Sequence, residues 1–97
     1  MSITNISVAK HYLNIIFDDG DEQLQLLLDA AEDEALQFLD IGDDLSVLAE
    51  DDRLPASVTL GILILLQASY QASPDEAKQL REIAETKLFP YRKGLGV

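Results

Sequence analysis

The side chains able to do chemistry are mostly carboxylates, and their spacing suits none of the usual tasks. The chain carries one histidine, His11, no cysteine, and eighteen Asp and Glu residues. A lone imidazole without a second His or a Cys beside it makes no metal site. The cluster Asp18, Asp19, Asp21 and Glu22 invites a calcium reading. An EF-hand loop, however, needs alternating oxygen ligands closed by a Glu at its twelfth position, and this cluster lacks that spacing. There is no glycine-rich phosphate loop and no serine in a recognisable nucleophile setting. Carboxylate pairs act as acid and base only where the surroundings push one pKa upward, and most of these fall on arcs expected to face solvent. The expectation is therefore a protein that is not an enzyme, with no catalytic residue, no metal and no cofactor.

The balance of charge narrows the partners. The net charge is −11 over 97 residues, from 18 acids against 7 bases. That argues against a basic grip on nucleic acid and against an anionic membrane surface. The charge is also lopsided. Residues 1–52 hold 14 acids and one base, Lys10, while residues 53–97 hold four acids and six bases. Such a split can orient copies of the protein against one another or against a partner, or simply keep an acidic face solvated. The N-terminus shows no basic region followed by an apolar run, so no signal peptide is expected. A length of 97 residues suits one domain with a thin core.

The elements that must position any working surface read as helices. Residues 5–15 form a short first helix capped by Asn5, with Ile6, Ala9 and Leu13 inward and Val8 and Tyr12 as further candidates. An acidic turn at 16–22 leads into the clearest helix, 21–39. There Leu24, Leu27, Leu28, Ala31, Ala35, Phe38 and Leu39 make one apolar stripe. Asp19 or Asp21 is expected to cap it, and Asp29, Glu32 and Asp33 are expected on the opposite arc. Leu26 and Leu36 fall outside the stripe and hint at a second contact surface. Residues 40–53, DIGDDLSVLAEDDR, break the pattern at Asp40 and Gly42 and read as an irregular loop or short helical turn, with a strand or hairpin as the alternative.

Leu54–Ala72 then opens at Pro55 and is the least polar stretch of the chain. It is too short to span a membrane. Wound as a helix it is apolar on every side, and such a helix must be covered on every side. Val58, Ile62 and Leu65 face one way and Leu60 and Ile64 roughly the opposite way, and whether so small a domain can cover both sides alone is the question the sequence poses. Ser57, Gly61, Ala68 and Ala72 share a narrow stripe of small residues where another backbone can come close. The last helix starts at a capping box, Ser73-Pro74-Asp75-Glu76. It buries Ala77, Leu80, Ala84 and Leu88 and stops at Pro90. A basic tail follows, Tyr91-Arg92-Lys93-Gly94-Leu95-Gly96-Val97, expected to be flexible. The fold class is all-α: four main helices with the 40–53 loop between the second and third, one domain over 1–90 and a tail over 91–97.

Four features of this pattern resemble the small helical head–tail connector (adaptor, or head-completion) proteins of tailed bacteriophages. They are Ala9-Lys10-x-x-Leu13-x-Ile15, the acidic turn Asp18–Glu22 before the long helix, Leu54-Pro55 before an apolar helix ending near Tyr70, and the closing Leu88-Phe89-Pro90-Tyr91-Arg92. The central helix departs from the family pattern in its Gly61 and in lacking the Arg and Asn common after the aromatic. The resemblance implies a virion component made in the host cytoplasm. It implies a ring of about a dozen copies under the portal, extending the channel through which DNA passes unbound and docking the tail or a stopper protein. On that reading Leu26, Leu36, Leu60 and Ile64 are the candidate subunit interface, and Tyr91, Arg92 and Lys93 the candidate portal-docking tail. The rival reading is an acidic helical adaptor or DNA-mimic regulator seated in a partner's basic groove.

Overall fold

The computed structural model describes residues 4–15, 20–40, 45–48, 53–70 and 73–91. Over these the chain is all helix, as the sequence predicts: α1 (Ile6–Leu13), α2 (Asp21–Leu39), α3 (Ala56–Tyr70) and α4 (Pro74–Leu88). Short 3-10 turns occupy Leu45–Leu48 and Phe89–Tyr91, and no strand element occurs among the described residues. The first turn is the helical segment expected between the second and third helices.

Local chemistry sets the ends. The Asn5 side chain accepts from the Ser7 N–H at 2.7 Å, satisfying one of the donors left open at the start of α1. Ser73 accepts from the Glu76 N–H at 3.3 Å, and its hydroxyl donates to the Glu76 carboxylate at 3.2 Å. With Pro74 at the first position, this is the strongest start signal in the chain. The start of α2 differs from expectation. Its cap is Gly20, at φ +83°, a conformation that favours glycine, with no side-chain bond. Asp21 instead lies inside the first turn, where the helix dipole favours an anion, and pairs with Lys10 at 3.1 Å, which ties α1 to α2. Asp19 lies outside the described residues. Asp40 closes α2 in the left-handed conformation, its N–H bonded to the Leu36 carbonyl.

The packing corrects the largest expectation. Helix α3 contacts α1, α2 and α4, most extensively α4. Val58, Gly61, Ile62, Leu63, Ile64, Leu65, Leu66 and Ala68 are all buried within the single chain. The apolar pattern on every side is that of a helix at the centre of its own bundle, so it does not require a neighbouring copy to cover it. Ile64, proposed as an interface position, is a core residue at 6% exposure. Gly61 is where α3 and α4 come closest. A Cβ there would lie 2.8 Å from Cγ and Cδ2 of Leu88 and 3.4 Å from the Ala84 carbonyl oxygen. The small-residue stripe thus serves a contact inside the chain.

A second correction concerns Glu32. Its carboxylate does not face solvent. It is buried, and its Oε2 accepts from the Thr4 N–H at 2.7 Å, which pins the segment ahead of α1 onto α2. The adjacent Thr4 hydroxyl is buried without a partner. Arg81 and Glu34 pair at 3.1 Å between α4 and α2, both sides of the pair being well exposed, so the gain is at most about 1 kcal/mol.

Candidate interaction surfaces

With the core closed, a working surface must come from side chains that the fold leaves out. Leu26 is the plainest case at 68% exposure. It points roughly 180° away from the stripe of α2 formed by Leu24, Leu28, Ala31 and Ala35. Leu60 is the one large aliphatic side chain of α3 that stays exposed, at 37%. Leu36 is half-buried and packs against the core. The four proposed interface positions therefore divide: Leu26 and Leu60 offer surface, Leu36 offers an edge, and Ile64 offers none.

The structure adds positions that the sequence reading passed over. Ile83 and Phe89 at the end of α4 are nearly half exposed. Val8 and Tyr12, weighed as inward residues of α1, are exposed as well. The Tyr12 hydroxyl donates to Gln67 Oε1 at 3.0 Å, linking that face of α1 to α3. The signal for Ile83 was its position off the Ala77–Leu80–Ala84–Leu88 stripe. Phe89 gave no signal, since an aromatic just before Pro90 can turn either way.

The C-terminal turn sorts its residues onto two sides. Tyr91 packs against the core and, with Arg53, Leu54 and Pro55, lines a depression of about 410 Å³. Phe89 and Pro90 instead line a groove of about 470 Å³ with Phe38, Glu82, Glu85 and Thr86. Of the proposed docking tail, Tyr91 is thus anchored to the bundle, and Arg92 and Lys93 lie outside the described residues.

Among the described residues no three His, Asp or Glu side chains gather as metal ligands. His11 Nδ1 lies 3.0 Å from the Ser7 carbonyl oxygen on the same helix, a local contact. Among the described residues, no helix is long and apolar enough to cross a membrane.

The described residues form an all-α bundle in an acidic chain, with exposed apolar side chains on several helices. A comparison with family models makes the class specific: the model for phage gp6-like head-tail connector proteins matches residues 3–90. The chain belongs to that family, which is structural and non-enzymatic and whose members are virion components working among other head and tail proteins. No curated protein and no solved structure matches the chain.

Proposed function

We propose that the protein forms a ring of about a dozen copies beneath the portal, where it extends the DNA channel and presents the docking surface for the tail or a stopper protein. The observation that carries this reading is the family match over nearly the whole chain. The uncovered apolar side chains support it: Leu26 on α2, Leu60 on α3, and Ile83 and Phe89 at the α4 end. A cyclic ring needs two different patches per subunit, one to meet the other on the next copy, and these residues lie on different helices. The imbalance of charge between residues 1–52 and 53–97 suits the same head-to-tail arrangement.

Acidic channel walls let DNA slide without holding its phosphates, and a chain at −11 can supply them. The basic residues Arg92 and Lys93, which follow Tyr91 in the sequence, are the proposed contact with the portal. The experiment is attachment to purified portal-bearing heads. The full chain sediments with them, and a chain ending at Tyr91 folds but does not; attachment by the shortened chain overturns the tail assignment.

A further inference from the structure

The groove at the end of α4 carries acids, Glu82 and Glu85, that the connector reading does not use. It is lined by Phe38 from α2, by Glu82, Glu85 and Thr86 from α4, and by Phe89 and Pro90 from the closing turn. The Thr86 hydroxyl turns back to donate to the Glu82 carbonyl at 3.0 Å, so it is spent on its own helix. Neither Glu82 nor Glu85 pairs with a cation among the described residues. An aromatic lining with two unpaired acids beside it suits a segment that carries both bases and apolar side chains. Arginine meets both requirements at once, pairing with carboxylate and stacking on aromatic faces.

One such segment exists in this chain. Arg92-Lys93 is its only pair of adjacent bases, and Leu95 and Val97 follow with glycines between. Six residues beyond Tyr91 reach about 20 Å when extended, enough to cross to an adjoining molecule. In the same molecule the bases follow directly on Tyr91, which is held on the Leu54–Pro55 side rather than the groove side. Glu82 lies about 10 Å back along α4 from the turn. The segment's reach covers both its own groove and a neighbour's, and it is the proposed head-to-tail ring, which sets copies side by side, that favours delivery from another copy.

We infer that the groove formed by Phe38, Glu82, Glu85, Phe89 and Pro90 receives the basic C-terminal segment, residues 92–97, of a second copy of this chain. This rests on the connector reading and adds where the tail sits before a portal is present. The same residues then exchange a neighbour's groove for the portal.

The test is a charge-swap in trans, read by native mass spectrometry and sedimentation velocity of full-length chains over a concentration series. Circular dichroism checks that the exposed substitutions leave the fold intact. One variant carries Glu82→Lys and Glu85→Lys; the other carries Arg92→Glu and Lys93→Glu. Each alone opposes like charges, and each raises the concentration for half-association by about tenfold or more. An equimolar mixture restores association, because each groove then meets an opposite tail. Association of either variant as strong as the wild type, or a mixture that stays monomeric, overturns the inference. If the tail folds back in its own molecule, the mixture fails and a chain carrying all four changes behaves as wild type, which also overturns it.

Attachment to portal-bearing heads separates the two readings. The groove variant keeps its tail and still attaches if the chain is a connector. Loss of wild-type attachment counts against the connector itself.

Discussion

Adding one methyl group at Gly61 gives the sharpest test of how the bundle is packed. Two effects oppose each other there. Replacing a mid-helix glycine by alanine favours the helix by about 1 kcal/mol. Against this, the new Cβ lands 2.8 Å from Cγ and Cδ2 of Leu88, about 1 Å inside ordinary carbon–carbon contact. Leu88 has no exposed surface and so no open side into which to swing. Overpacking a closed core costs about 1–3 kcal/mol. The net expectation for Gly61→Ala is a loss of about 1 kcal/mol, or about 4–8 °C in Tm for a domain of this size. The reasoning is tested by a double-mutant cycle with Leu88→Ala, followed by urea unfolding. Leu88→Ala alone costs about 2–5 kcal/mol. With the Leu88 side chain gone, the same Gly61→Ala change becomes stabilising by about 1 kcal/mol, because only the propensity gain remains. A substitution at Gly61 that stabilises both backgrounds equally would refute the close α3–α4 contact.

Other outcomes follow from the same coordinates. Leu26→Asp leaves helicity unchanged and stability within about 0.5 kcal/mol of the wild type, since the site is exposed, but weakens assembly in native mass spectrometry. Ile64→Asp puts a carboxylate into the core and unfolds a domain whose whole stability is about 5–15 kcal/mol, seen as loss of circular dichroism. Ser73→Ala removes the α4 cap and costs about 1 kcal/mol in urea unfolding. Thr4→Val replaces a buried, unpartnered hydroxyl by a methyl of similar shape and raises stability by about 1 kcal/mol in the same assay.

Much of the fold could be read from residue order. The bounds of α2 follow from its apolar stripe, and the starts of α1 and α4 follow from Asn5 and Ser73, because caps and periodicity are local properties. What periodicity does not carry is the number of neighbours each face acquires. The pattern of α3 announces that every side needs cover, but a ring of sister copies and a ring of its own helices leave the same mark. The structure shows α1, α2 and α4 supplying the cover, so the connector reading rests on the family match and the outer-helix leftovers rather than on α3. Glu32 misled for a related reason. Its burial depends on the Thr4 N–H, 28 residues earlier, and no local pattern reports that contact. The interface candidates split the same way, with Leu26 recognisable from its place opposite the stripe and Ile64 indistinguishable from its exposed counterpart Leu60.

The most direct measurement is the number of copies bound per portal vertex when the purified full-length chain is added to portal-bearing heads, counted by mass after removal of free protein. The account predicts saturation at about a dozen copies, the closed ring that the connector reading proposes. Heads that bind no copies, or that saturate at one or two, contradict it.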